Sequence, residues 1–175
     1  MKARRAANVR RRGMSLVEML VATTIMATLM ASVVVVVRSG YAAWNAQEAD
    51  MDRLENAYGV LRHVAQQLRQ ASSVTAISAP ASTTGSLSFL TSAGTTRTWS
   101  YNSGTAEVYF NNGTSNQALA KTINSLNFVG YEADGVTATT TVGDIQVVKC
   151  TVQVTLPRGG GVTRTVSCRA WIRSW

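Results

Sequence analysis

The sequence predicts an α+β chain: one long N-terminal helix, membrane-spanning in its first half, packed on a small antiparallel β-sheet domain. Three observations carry this expectation. Residues Met19 to Val37 include no charged side chain over 19 positions. An apolar stripe then recurs at steps of three and four as far as Ala71. Beyond Ser72, apolar residues alternate at period two between Ser-, Thr- and Gly-rich stretches. At 175 residues the chain is sized for one domain, and a second independent core is not expected.

Composition narrows the class further. Hydrophobic residues make up 46% and charged ones 15%, which excludes disorder driven by charge. The formal charge of +8 comes from 17 Lys and Arg against 9 Asp and Glu. Six of those cations, Lys2, Arg4, Arg5, Arg10, Arg11 and Arg12, precede Gly13, where no acid occurs. Beyond Gly13 the chain is nearly balanced, so the basicity belongs to a leader and direct nucleic-acid binding is not predicted.

The segment after the leader, Met14 to Val37, has 24 residues and one charge, Glu18. At about 1.5 Å per residue, its uncharged part crosses most of a ~30 Å hydrocarbon layer as a helix. The β-branched run Val33–Val37 has modest helix propensity in water, but lipid demands that its backbone bonds be made internally. A buried core helix is the alternative, disfavoured by apolarity on all sides. The basic leader places itself in the cytoplasm and the residues after Arg38 outside it. A cleaved secretory signal competes, but Glu18 opposes it and no clear small-x-small cleavage site with a polar approach follows the stretch.

Arg11-Arg12-Gly13-Met14-Ser15-Leu16-Val17-Glu18-Met19-Leu20-Val21-Ala22 resembles the cleavage and methylation signal of type IV prepilins and type II secretion pseudopilins. The resemblance covers roughly residues 8–40. It implies cleavage after Gly13 by a prepilin peptidase, N-methylation of Met14, and Glu18 as the fifth mature residue. Met14 departs from the phenylalanine usual at the first mature position. The residue types suit the chemistry. Gly13 lets an extended backbone approach a protease closely. Glu18 is costly in hydrocarbon without a cationic partner, and methylation leaves the Met14 amine charged. In a staggered assembly Glu18 of one subunit can meet the terminal amine of its neighbour. A carboxylate favoured by the helix dipole is the simpler alternative.

The helix is expected to continue as one amphipathic element to Ala71, 58 residues from Met14 and roughly 87 Å long. Gly40 and Gly59 could bend it, and Tyr41 and Trp44 fit the aromatic belt outside the bilayer. Its stripe is expected to cover a sheet; a coiled coil is the alternative, with fewer than three heptads to support it. His63, the one histidine, is expected on the wet side or the boundary. The implied segments are a cleaved leader at 1–13, a transmembrane and filament-core helix at 14–38, its extracytoplasmic continuation at 39–71, and a sheet region at 72–175.

Within that region, Ser86–Thr91 reads as a strand, and Thr96–Tyr101 with Thr105–Phe110 as a hairpin about Asn102-Ser103-Gly104. Leu126 and Phe128 mark another strand before the turn Asp134-Gly135. Asp144–Leu156 and Val162–Arg173 flank Pro157-Arg158-Gly159-Gly160-Gly161. Folding them about Gly159 pairs Leu156 with Val162, Val152 with Val166, and Cys150 with Cys168. That register predicts a disulfide, stabilising by roughly 3 kcal/mol for a loop of this length and suited to an oxidising compartment. Two reduced core cysteines are the alternative.

Enzyme signals are weak. No CxxC, phosphate loop or metal-ligand spacing occurs, so no catalytic residue, cofactor or metal is expected. Glu132, Asp134 and Asp144 could approach one another around calcium, as in some pseudopilins, but solvated loop acids are the simpler reading. Leu61–Ser72 is similar to the later helix of J-type pseudopilins and W-type minor pilins, implying a minor subunit. A major fibre-forming pilin and a signal-anchored extracytoplasmic enzyme or binding protein are the alternatives. The family implies a bacterial inner-membrane location before assembly into a pilus or pseudopilus. It also implies as partners the prepilin peptidase, other pilins or pseudopilins, the lipid bilayer, and an assembly platform whose cytoplasmic ATPase acts indirectly.

Overall fold

The computed structural model describes residues 13–172, so the leader cations up to Arg12 and the last forecast strand residue, Arg173, lie outside it. One helix, α1 (Leu16–Leu68, 53 residues), runs without interruption through Gly40 and Gly59. Nine strands follow: β1 (Ala71–Ile77), β2 (Ser86–Thr91), β3 (Thr96–Asn102), β4 (Glu107–Asn111), β5 (Asn116–Ala120), β6 (Ser125–Tyr131), β7 (Ala138–Thr139), β8 (Val147–Leu156) and β9 (Val162–Trp171). The class is α+β with antiparallel pairing, as the alternation of residues predicts.

The chain divides into two compact units between Trp44 and Asn45. In the first, every described residue from Gly13 to Trp44 is exposed. Its apolar stretch is long and apolar enough to cross a membrane, with a mean hydropathy of 2.4 over its most apolar window. The four hydroxyls within that stretch are spent locally. Thr23, Thr24, Thr28 and Ser32 donate to the carbonyls of Leu20, Val21, Ile25 and Leu29 at 2.7–2.9 Å. A helix that satisfies its own hydroxyls presents no unmet polar group to hydrocarbon.

In the second unit, the later turns of α1 bury Ala57, Val60, Leu61, Val64 and Leu68, a stripe at steps of three and four. The strands form two sheets where one was expected: β1-β2-β3-β4-β5 and β7-β6-β8-β9. Leu87 and Phe89 of β2, Trp99 of β3, Val108 of β4, Leu126 and Phe128 of β6 and Val148, Cys150, Val152 and Val154 of β8 join the helix stripe in one core. The sheets meet at a seam. Gly85 N–H donates to the Leu126 carbonyl at 2.7 Å, and Leu126 N–H donates to that of Thr83 at 3.1 Å. Asn127 clamps the same loop by donating to the Pro80 and Ser82 carbonyls, both at 2.7 Å. A Cβ at Gly85 would lie 2.6 Å from the Leu126 oxygen, so this approach requires glycine.

The helix stops three residues before its forecast end. Gln70 N–H donates to the Gln67 carbonyl in a tightened last turn, and Ala71 opens β1 instead, still buried. The forecast hairpin is in the expected register: Leu156 faces Val162, Val152 faces Val166 and Cys150 faces Cys168, with ten pairs and no bulge. Pro157–Gly159 form a 3₁₀ turn, and Gly160 and Gly161 follow with φ of 67° and 89°, which glycine adopts without Cβ strain.

Candidate functional site

The N-terminal turn carries the residues of the forecast signal. Gly13 and Met14 precede α1 and are exposed; a Cβ at Gly13 would meet no atom within 4 Å. Ser15 caps the helix. Its Oγ accepts from the Glu18 N–H at 3.4 Å, while a Glu18 carboxylate oxygen accepts from the Ser15 N–H at 3.4 Å. This reciprocal pair is a capping box, satisfying two donors that a helix start otherwise leaves open. Ser15-Leu16-Val17-Glu18 has its spacing, a signal legible in the sequence but overshadowed by the prepilin resemblance. Glu18 thus has a task within its own chain, through hydrogen bonds rather than the dipole alone.

Residues 8–34 match the profile of the prokaryotic N-terminal methylation motif. No curated protein and no solved structure matches the chain. The chain therefore carries a prepilin-type signal over those residues, and Gly13, Met14 and Glu18 fall within it.

The cysteine pair lies in the sheet unit. Cys150 faces Cys168 across β8 and β9, and both are thiols in this structure. Ile172 N–H donates to the Gln146 carbonyl at 2.9 Å, in line with that register. Because ladder pairs alternate, residues 150 and 168 occupy the same hydrogen-bonded type of pair, with Cα atoms about 5.5 Å apart, inside the disulfide window. The two thiols differ. A hydrogen bond to Cys168 and burial raise the Cys150 pKa, whereas Cys168, half-buried, is the more acidic because Cys150 supports its sulfur. Its S–H also points to the Leu61 carbonyl, 3.6 Å away.

His63 stands at the forecast boundary and has a specific partner. Its Nδ1 accepts from the indole N–H of the fully buried Trp99 at 3.1 Å, and its ring meets Phe110 edge-on at 4.5 Å. Burial, and then the Arg97 guanidinium, hold its pKa below the ordinary value. Among the described residues, no three His, Cys, Asp or Glu side chains are grouped to hold a metal ion. Asp134 is instead committed to its turn, accepting from the Thr137 hydroxyl and then the Val136 and Thr137 N–H groups, which lowers its pKa.

Proposed function

We propose that the chain is a structural subunit of a type IV pilin-like filament, either a pilus or a type II secretion pseudopilus. The observation that carries this reading is the methylation motif at residues 8–34, which runs into a capped helix whose apolar first part, as far as Trp44, is wholly exposed. Prepilin peptidase cuts after Gly13 on the cytoplasmic side and methylates Met14. The helix then leaves the inner membrane for the filament, with the sheet unit on the extracytoplasmic side. Glu18, released from its cap, pairs with the methylated amine of a neighbour, so that two charges enter the apolar filament centre together. The assembly platform and its ATPase supply the work, and this chain acts by assembly rather than catalysis.

The likeness of Leu61–Ser72 to J-type and W-type subunits supports a minor position, helping to initiate the filament or complete its tip complex. A fibre-forming subunit is the second reading. It is favoured by an exposed α1 ridge whose acidic half, Glu48 and Glu55, complements its basic half, Arg62 and Arg69. Quantitative mass spectrometry of sheared filaments decides between them: a minor subunit falls far below the most abundant pilin, and comparable stoichiometry overturns the minor position. Absence from filaments in a processing-competent host overturns both.

A further inference from the structure

Among the described residues the two sheets have four edge strands, β1, β5, β7 and β9, and three of them are blunted. The β1–β2 ladder carries two register shifts, the β4–β5 ladder carries one, and β7 has only two residues. The fourth, β9, is ten residues long and pairs with β8 without a bulge. Long, flat edges are usually interrupted or covered, because their unmet backbone groups take up other strands. The ladder shows which groups are unmet. Ile172 N–H donates to the Gln146 carbonyl, so the even-numbered residues of β9 turn their backbone toward β8. Thr163, Thr165, Ser167, Arg169 and Trp171 therefore turn N–H and C=O outward, and among the described residues these groups meet no partner.

The cations at this edge select its partner. Arg69, Arg169 and Trp171 line a cavity of about 280 Å³ beside Ala170. The Arg169 guanidinium is already held in place, 5.1 Å from the centre of the Tyr131 ring and donating to the Gly135 carbonyl at 3.3 Å. Arg69 is exposed and has no ion-pair partner among the described residues. Arg164 is exposed toward the other end of β9, and the strand has no acidic residue. Two guanidiniums at one cavity repel each other until an anion lies between them. A second copy of β9 would bring two more arginines and no carboxylate, which disfavours self-pairing. A nucleic acid or acidic polysaccharide satisfies the arginines but not a row of backbone donors and acceptors at strand spacing. A peptide satisfies both.

We propose that the free edge of β9 takes up an extended acidic segment of another protein as a fifth strand of the second sheet. The backbone of that segment pairs with the five outward-facing residues. One of its carboxylates enters the cavity between Arg69 and Arg169, beside Trp171. Arg164 and Arg169 lie on opposite faces of β9, because side chains alternate along a strand. A second carboxylate at the matching spacing therefore meets Arg164 from the other face of the added strand. The proposal does not rest on the filament reading, since Arg69 and β9 belong to the second compact unit and not to the apolar part of α1.

The test uses the full chain in detergent micelles and a fluorescent synthetic peptide of about seven residues, rich in valine and threonine. Two glutamates in the peptide match the spacing of Arg164 and Arg169. Fluorescence anisotropy should show saturable binding, weakened about tenfold by Ser167→Pro, because proline removes an outward N–H and spares the ladder to β8. Arg69→Glu should weaken it by a similar factor, and a lysine version of the peptide should not bind. Of two peptides N-methylated on alternate residues, one in each frame, only one should lose binding, since only one frame faces β9. Equal binding of the two frames means attraction between charges alone and overturns strand addition. Equal binding of the lysine version overturns the acidic partner, and no binding of any peptide overturns the site. Self-association abolished by Ser167→Pro, with no peptide bound, gives the edge to a second copy and overturns the proposal. An unchanged circular dichroism melt of Ser167→Pro separates a lost edge from a lost fold; if that variant unfolds, the two methylated frames decide.

Discussion

The indole N–H of Trp99 donates to Nδ1 of His63 at 3.1 Å, joining the centre of the core to a half-buried imidazole on α1. Trp99 also stacks on Phe89 with centroids 4.9 Å apart. A buried indole N–H needs an acceptor, and only an imidazole unprotonated at Nδ1 provides one here.

The stability of the sheet unit should therefore fall in mild acid. The unfolded histidine titrates near pH 6.5, while burial and Arg97 keep the folded one below that value. Unfolding then takes up a proton, so stability is complete above about pH 6.5 and declines as pH drops toward the folded pKa. Thermal melts of the solubilised chain between pH 7.5 and 5 should show this slope, and His63→Phe should flatten it. The variant should also lose about 1–3 kcal/mol at neutral pH from the orphaned indole donor. An equal slope in both proteins removes His63 as its source.

Glu18 caps its own helix, and one pair of substitutions separates that task from the intersubunit pairing proposed for it. Glutamine also serves as the third helical residue of a capping box, so Glu18→Gln keeps the cap and removes the charge. Glu18→Ala removes both, weakening the helix start by about 1 kcal/mol. Both variants should insert in the membrane and both should be poorly recovered in filaments. Full assembly of Glu18→Gln with failure of Glu18→Ala assigns the residue to the cap alone.

Processing should yield a mature chain that begins at methylated Met14. Terminal sequencing and intact mass after co-expression with the peptidase measure this directly. Gly13→Ala should still be cut to some extent, whereas a bulky residue such as leucine should block cleavage. A terminus elsewhere, for example after Ala31, sinks the assignment.

Cys150 and Cys168 should be recovered as one linked pair in nonreducing peptide maps of protein from an oxidising periplasm. Oxidation should begin at Cys168, the more acidic and more accessible thiol. Replacing both with alanine should lower stability by roughly 3 kcal/mol by the loop-entropy relation and leave processing at Gly13 unchanged. Reduced thiols in such a preparation defeat the pairing.

At the seam between the sheets, Gly85→Ala should cost about 1–3 kcal/mol, because the new methyl meets the backbone oxygen of Leu126 rather than a side chain that can turn aside. Gly143→Ala, where a Cβ meets nothing within 4 Å, is the control. Matching melting temperatures for the two variants contradict the tight seam.

Strong period-two patterns between clear turns are legible in the sequence. The strand Ser86–Thr91 and the pairing of Cys150 with Cys168 follow from alternation and turn placement alone. Weaker patterns hid other elements. Asn116–Ala120 has no β-branched residue and mostly exposed positions, so its strand is held by pairing with β4 rather than local preference. Ala138–Thr139 is too short to show a period. Ala71 lies three residues after Leu68 and so fits the helical stripe, but its burial serves a strand. The partition into two sheets depends on the seam at Gly85 and Leu126, contacts between distant residues that no periodicity reveals. In the N-terminal site the motif residues were legible, while the Ser15 cap was masked by the stronger signal. The indole partner of His63 lies 36 positions away and leaves no local trace.

Strand order also sets a timetable for synthesis. In the first sheet every strand pairs with its immediate predecessor, so each finds its template already made as the chain emerges. The second sheet cannot grow this way, because β6 lies between β7 and β8 and its long partner arrives only after Val147. Yet β6 supplies Leu126 and Phe128, and the Phe128 ring lies 6.3 Å from Trp99. Until β8 is available, α1 already offers His63 to Trp99, but the side of the aromatic centre that Phe128 closes lacks a stable cover. An apolar face left open in this way invites aggregation and holding chaperones, and β8 closes it.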